Sequence, residues 1–472
     1  MQKSSAPGAG LFSKQTYILL LRRENKMITE KDTKKCMEVF LEDQKYASKC
    51  SHLSYYPLVI DKVQGSIITD IDGNEFIDFL SSASSLNMGS AFPPVVKAMK
   101  DQIDSFSQYT PAYTYNRKTT EYAKKLCSVY PGGVKAKVCF GNCGSDANDA
   151  AIKFARAYTG RPKIFVFLNG YHGSTYGSAS LTTCSINMRD RMGPFLPEVY
   201  AFPYFGADLS DEYVEENCIK DIETACSSYM SAREVAAVII EPLQGDGGIL
   251  PAHPLFIKKL HKWCKDNGVL FISEEVQQGF YRTGKFFGIE HFDVIPDGII
   301  MGKSIGAGTP LGGFMAREEI VDVLPAPAHL FTLGGNPLSC AAGIAAFDYY
   351  QTDEFQELLA SNIELIVKLA KELKQKHPDI VDFHRNLGMS MGIGIKPAFG
   401  ATAEDVTYKV LYRAYQRGLI VISLAGKVLR IQPPLNIKPE ELTRGFEIIA
   451  ESMDDFKNGD IPDSVFEFRA GW

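Results

Sequence analysis

Between Lys137 and Ser339 short apolar runs alternate with helical stretches, and this alternation narrows the possible folds more than any other feature of the 472-residue chain. Residues 138–140, 164–168, 235–240 (VAAVII), 269–273 and 299–301 read as strands. Residues 146–158 and 254–266 read as helices, the second stopped at Gly268. Strands that are apolar throughout suit burial on both faces, so the pattern predicts an α/β fold with a mostly parallel sheet covered by helices. Ligands of such sheets sit beyond the carboxyl ends of the strands. Each strand here ends in polar or glycine-rich sequence, so one shared site is expected there.

One strand end carries a lysine. Residues 297–314 read DGIIMGKSIGAGTPLGGF, an apolar run that delivers Gly302 and Lys303 into a loop of Gly, Ser and Thr. A lysine at the end of a buried strand is costly unless it has a partner or a task. Burial lowers an amine pKa and frees the neutral form to attack carbonyl carbon. Lys303 therefore reads as a Schiff-base lysine for an aldehyde cofactor; a surface lysine after an ordinary strand is the other reading of this stretch.

The flanking chain reads more simply. Residues 27–50 are charged and helix-prone. IITDIDGNEFIDF, within 58–79, makes two alternating runs around a hairpin turn at Asp72-Gly73-Asn74. Residues 93–106 form an amphipathic helix pattern, between the small polar SSASSLNMG (81–89) and YTPAYTY (109–115). Loops with several tyrosines are more often packed than pocket walls. After Pro337, helical stretches at 337–350 and 354–376 are followed by strand-like pieces at 380–383, 391–395 and 419–423. VLRIQPPL (428–435) and a last helix at 438–456 complete a smaller α+β domain. The expected division is a leader or extension at 1–26, an N-terminal segment at 27–80 joining the small domain, a large domain at 81–345 and a small domain at 346–472.

Composition excludes several partners. A net charge of -6 without a basic block argues against nucleic acid. The ten cysteines form no CxxC pair and no Cys/His cluster at zinc spacing, so no metal is expected, and free thiols in a reducing cytoplasm are the simplest reading. No apolar run could span a bilayer. Residues 17–21 are too short for a signal h-region and precede Arg22 and Arg23, and Met27 is a plausible start.

Four further segments could meet Lys303. In GNCGSDAND, Gly144 and Ser145 open a helix whose free backbone N–H groups attract an anion; an ordinary strand-to-helix turn is the alternative. ISEEVQQGF places Glu274 and Glu275 after a buried strand, able to pair with a cationic ring nitrogen or to form a salt bridge within the fold. NGYHGSTYG offers Tyr171 and His172 for stacking on a flat ring. HLFTLGGNP supplies Thr332 and a flexible glycine pair.

Taken together these segments resemble the class III aminotransferases, pyridoxal phosphate enzymes of fold type I, from about residue 58 to the C-terminus. The resemblance implies a seven-stranded-type, mostly parallel sheet in the large domain. It implies that Lys303 forms the Schiff base with pyridoxal 5'-phosphate, that Gly144 and Ser145 bind its phosphate, and that Tyr171 and Val276 sandwich its ring. Gln277 would bond the ring hydroxyl and Glu274 the ring nitrogen. Thr332 would reach the neighbouring subunit's phosphate, making a homodimer, or a dimer of dimers, with shared active sites. Arg430, before a proline pair, would bind the carboxylate of a small amino-acid substrate, a task that suits its fork of donors; Tyr113 is expected beside the substrate too.

The chain departs from the family at three places. Glu274 replaces the usual Asp, and the longer side chain must still reach the ring nitrogen. Ser174 stands where 4-aminobutyrate aminotransferases carry an arginine for the distal carboxylate. Asp246, in GDGG, stands at the family's switch glutamate. With EPLQGDGGI, SASSLNMG, YTPAY, SDANDAAIKFARAYTG, YHGSTYGS, APAHLFT and the closing Gly471-Trp472, the chain is similar to the isoleucine 2-epimerase (amino-acid racemase) subgroup. The implied function is racemisation or epimerisation of apolar amino acids, with Lys303 serving one face of Cα and Asp246 the candidate for the other; the other reading of Asp246 is that it only holds Arg430 or solvent. The alternatives are a 4-aminobutyrate or other ω-amino-acid aminotransferase using an oxo acid, and a cofactor-binding protein without turnover.

Overall fold

The computed structural model describes residues 31–469; the expectations for 1–26, for the 17–21 run, for Met27 and for Gly471-Trp472 lie outside the described residues. The first strands form a meander: β1 (Ile60–Gln64), β2 (Ile67–Asp70) and β3 (Glu75–Asp78), each antiparallel to the next. The β2–β3 turn is the one the sequence marks. Asp70 Oδ1 accepts from the backbone N–H of Asp72 and of Asn74, and Gly73 takes φ +90°, a conformation that glycine adopts without steric cost.

The central sheet contains β4 (Ala136–Gly141), β5 (Lys163–Phe167), β6 (Val199–Phe202), β7 (Val235–Ile240), β10 (Leu270–Glu274), β11 (Gly298–Met301) and β12 (Gly312–Arg317). Two-residue strands β8 (Leu243–Gln244) and β9 (Leu250–Pro251) pair separately. The order across the sheet is β4-β12-β11-β10-β7-β5-β6. Strands β11, β10, β7, β5 and β6 are mutually parallel, while β12 runs antiparallel to both its neighbours. Strands β5, β7, β10 and β11 are buried at every position, as runs without alternation require.

Strands β6 and β12 are not among the strands expected from sequence, and each has a reason to be hidden. β6 lies at the sheet edge with one buried residue, Phe202, so its apolar signal is weak. β12 opens with Gly312-Gly313, which reads as loop. A Cβ on Gly312 would lie 1.9 Å from the carbonyl oxygen of Cys143, so close approach of two backbones, not flexibility, selects glycine there.

Beyond the helix Pro337–Tyr350, helices Asp353–Lys376, Ala403–Gln416 and Pro439–Asn458 pack around a second sheet. Its strands are β13 (Val381–Leu387), β14 (Ser390–Ile395), β16 (Ile422–Leu424) and β17 (Val428–Ile431), in the order β13-β14-β17-β16. The strand expected at 419–423 is split. Its first part, β15 (Leu419–Ile420), pairs parallel with β3, and only the second part joins the C-terminal sheet. The Tyr55 and Tyr56 hydroxyls donate to the carbonyls of Ser423 and Val421, both at 2.8 Å, which ties the N-terminal segment to that lobe.

Candidate active site

A cavity of about 370 Å³ opens at the carboxyl ends of five strands. Gly144 and Ser145 enter after β4, Tyr171 and His172 after β5, Glu241 after β7, Glu274 with Val276 and Gln277 at β10, and Lys303 after β11. The topology thus brings together residues more than 150 positions apart, as parallel strands sharing one end must.

The cradle at β4 is built by close backbone packing. The helix begins at Gly144, earlier than expected, because Asp146 accepts from the backbone N–H of Asn142 (2.8 Å) and Cys143 (2.9 Å) and so closes the first turn. A Cβ on Gly144 would lie 2.7 Å from Val276 Cγ1, and one on Gly302 would lie 2.9 Å from Gly144 Cα. Ser145 Oγ accepts from the backbone N–H of Ser174 at 3.2 Å. Ser174 thus continues the cradle. A helix N-terminus with small residues around it suits a phosphate.

Lys303 adopts φ +49°, left-handed for a non-glycine residue, which turns the chain sharply out of β11. Burial holds its amine below the ordinary lysine range. Asp246 pulls it back upward, Arg430 presses it down, and Glu274 and Glu241 oppose Arg430. The turn before the cavity is strained as well: Ser81, Ser82, Ala83 and Ser84 all have φ between 48° and 65°. Such residues cost about 1 kcal/mol each and persist where neighbours hold them. Here Asp78 Oδ1 accepts from the N–H of Leu80 and Ser81, and Ser304 Oγ, next to Lys303, donates to the Ser84 carbonyl at 2.7 Å.

The two acids after β10 separate. Glu274 faces the cavity; burial, then Glu241, raises its carboxyl well above the carboxylate range, while Lys303 and Asn148 oppose the rise. Glu275 turns away and accepts from the N–H of Gly288 (2.7 Å) and Ile289 (2.8 Å), a structural task. Glu241, not assigned a role from sequence, accepts from the N–H of Tyr171 at 3.0 Å and of Gly245 at 3.2 Å. Burial, then Asp246, pushes it up to about 8. The signal for it was present: a carboxylate ending an otherwise apolar strand, the same signal that marks Glu274.

Arg430, on β17, is buried. Its Nη1 stands 3.7 Å from Asp246 Oδ1, its Nε donates to Gln432 Oε1, and its Nη2 has no protein partner. A buried guanidinium nitrogen without an acceptor is costly unless a ligand supplies one. Asp246 is carried by a loop that the C-terminal sheet grips: Arg385, on β13, donates from Nε and Nη2 to the Gly248 carbonyl at 3.2 and 2.8 Å. His172 is buried with Nδ1 unpartnered. Thr332 and Tyr113 lie outside the cavity lining of their own chain, and so do Arg430 and Asp246, whose charges nevertheless act on Lys303. Thr332 is exposed and its carbonyl accepts from Gln108 at 3.2 Å, while Tyr113 is 82% exposed, neither packed nor a pocket wall within one chain.

These residues fit pyridoxal phosphate: an amine, a glycine-lined helix N-terminus, a buried carboxyl and an amide at Gln277 surround one cavity, and the acceptor-seeking Arg430 guanidinium, outside the lining itself, is close enough to lower the Lys303 amine. Comparison with known proteins agrees with the geometry. The class III aminotransferase family model matches residues 49–453. The chain belongs to the class III aminotransferase family. It is 39% identical to the isoleucine 2-epimerase of Lentilactobacillus buchneri, over 93% of this chain and 99% of that protein. It is 36% identical to a probable 4-aminobutyrate aminotransferase of Bacillus subtilis, over 83% and 92%. Among solved structures, the ornithine aminotransferase of Toxoplasma gondii, with pyridoxal phosphate at partial occupancy in its active site, superposes with a TM-score of 0.78 at 27% identity, covering 94% of this chain and 99% of that one. The family's fold type I architecture is that of the central sheet described above. No helix among the described residues is long and apolar enough to cross a membrane.

Proposed function

We propose that this class III enzyme is a racemase or epimerase of apolar amino acids, similar in activity to isoleucine 2-epimerase. The cofactor is pyridoxal phosphate, which, when bound, supplies the electron sink that makes a substrate Cα proton acidic. Lys303 would hold it, Gly144 and Ser145 its phosphate, Glu274 its ring nitrogen and Gln277 its ring oxygen, with Tyr171 and Val276 on its faces. Arg430 binds the substrate carboxylate through the free Nη2. Lys303, its amine lowered by burial, moves the proton on one face of Cα. Asp246 holds and returns the proton on the other. The working unit is a homodimer in which the exposed Thr332 serves the partner's phosphate, with the exposed Tyr109, Tyr113, Leu330 and Leu333 covered by the second copy. Ten unpaired cysteines suit a reducing cytoplasm.

The observation that carries this reading is the buried Asp246 carboxylate, 3.7 Å from the arginine that takes the substrate carboxylate. Transamination needs one proton-transfer group near Cα; inversion needs two. The absence of an arginine at Ser174 also leaves an ω-amino acid's distal carboxylate without its anchor. The same Asp246–Arg430 pair favours a second reading, in which Asp246 only neutralises Arg430 in an aminotransferase. Asp246→Asn separates the two. On our reading it lowers racemisation by about 100- to 10,000-fold, the range for loss of a positioned acid or base, and leaves cofactor affinity intact. Equal loss of both would favour a purely structural Asp246; unchanged racemisation would remove Asp246 from the proton transfer; a parent enzyme that transaminates without racemising would favour the aminotransferase.

A further inference from the structure

Gln432 lies two residues beyond Arg430, wholly buried, and every polar atom of it is engaged. Its backbone N–H donates to the Phe79 carbonyl at 2.8 Å, and its carbonyl accepts from Ser81 Oγ at 2.7 Å. Its side-chain Oε1 accepts from Arg430 Nε at 2.5 Å and from Ser84 Oγ at 2.8 Å. Its Nε2 donates to Ser390 Oγ at 2.7 Å and to Gln277 Oε1 at 3.3 Å. An amide has two donors and two acceptor lone pairs, so this one is saturated.

The direction of these bonds is not free. A guanidinium only donates, so Gln432 must present its oxygen to Arg430 and its nitrogen to Gln277. Gln277 must then present its oxygen to Gln432. That same oxygen accepts from Gln278 Nε2 at 3.0 Å, and Gln278 Oε1 accepts from Ser390 Oγ at 2.7 Å. Both routes from Gln432 to Gln277, direct and through Ser390 and Gln278, run in one sense. They leave the Gln277 amide nitrogen as the end available to the cavity that Gln277 lines. A donor, not an acceptor, is what a cofactor's ring oxygen needs.

We infer that Gln432 is a positioning residue that sets Arg430 for the substrate carboxylate and, through the fixed sense of this network, sets Gln277 as a donor to the ring oxygen. The inference rests on the proposed roles of Arg430 and Gln277. It makes the carboxylate site and the cofactor's ring oxygen two outlets of one buried amide. The same amide holds Ser84 in the strained 81–84 turn.

The test uses holoenzyme and two readouts other than turnover: the pH midpoint of the bound cofactor's visible absorbance, and the affinity for 4-methylpentanoate, a leucine analogue without the amine. Gln432→Met, close in volume but without hydrogen bonds, is expected to shift the midpoint by one pH unit or more and to weaken the analogue tenfold or more. Ser390→Ala removes the indirect route, both the bond Ser390 accepts from Gln432 and the one it donates to Gln278, and leaves the bond between Gln432 and Arg430 in place. It is expected to move the midpoint while leaving the analogue affinity within twofold, and it stands as the test if Gln432→Met does not fold. Folded Gln432→Met with both readouts unchanged, or Ser390→Ala with the midpoint unmoved, overturns the inference. Arg430→Lys with unchanged analogue affinity would instead remove the reading of Arg430 beneath it.

Discussion

His172 sits in the cavity wall with one ring nitrogen unpartnered, and burial lowers its pKa to about 4 from an ordinary 6.5. It is therefore neutral in the folded protein at neutral pH. A depressed folded-state pKa gives stability that is present above 6.5 and is lost as pH falls through 6.5 toward about 4. Across that window the loss is up to about 1.4 kcal/mol per pH unit for one proton. His172→Gln should flatten the acid side of the stability curve between those values, as read by denaturant unfolding at several pH values; a curve unchanged in slope would contradict the burial argument. Glu274 makes a second prediction. On the proposed reading, Glu274→Gln keeps the shape but removes the ionisable partner proposed for the ring nitrogen, and racemisation should fall about 100-fold or more, the scale of losing one preorganised electrostatic group. Glu274→Asp should retain measurable turnover if the family's usual carboxylate reaches the same atom. Steady-state assays on the two variants decide it: a Gln variant as active as wild type would mean Glu274 serves the fold alone.

At the scale of elements, β12 supports the cradle more than its sequence suggests. A Cβ on Gly312 meets the Cys143 carbonyl oxygen at 1.9 Å, and neither is a movable side-chain tip. Gly312→Ala should push the start of the Gly144 helix out of place. The expected cost is about 1–3 kcal/mol of stability, as for other overpacked sites, with weaker cofactor retention measured by spectral titration. Unchanged retention would mean that the cradle has slack. This strand also shows what the sequence carried and what it did not. Runs such as VAAVII at 235–240 were legible because burial on both faces demands continuous apolar character. β12 was not, because its glycines answer a contact with a segment about 170 residues earlier, which no local pattern encodes. The 419–423 run was legible as extended chain, but its division between two sheets depends on β3 and on β17 together. In the site, Lys303, Glu274 and Ser145 stood out by type at strand ends. Gln432 and Ser390 did not, since an amide and a hydroxyl are marked only by the partners that folding brings to them.

On the scale of the whole molecule, the mostly parallel sheet lines the cavity at its strand ends, and the C-terminal sheet supplies Arg430 and, through Arg385, a grip on the Asp246 loop. The exposed tyrosines at 109 and 113 and the exposed Thr332 predict that light scattering finds a particle of two 52.2 kDa chains, and that Thr332→Ala weakens cofactor binding without dissociating it. A monomer that keeps its cofactor would exclude a shared site. On the proposed reading both faces of the substrate Cα are served by protein groups, Lys303 on one and Asp246 on the other. Incubating the holoenzyme with L-isoleucine in deuterium oxide, with no oxo acid present, tests it most directly by proton NMR and chiral chromatography. The expected result is loss of the Cα proton signal together with growth of the Cα-inverted isomer, in which deuterium occupies Cα. Formation of oxo acid only after an amino acceptor is added, with no inverted isomer, would contradict it.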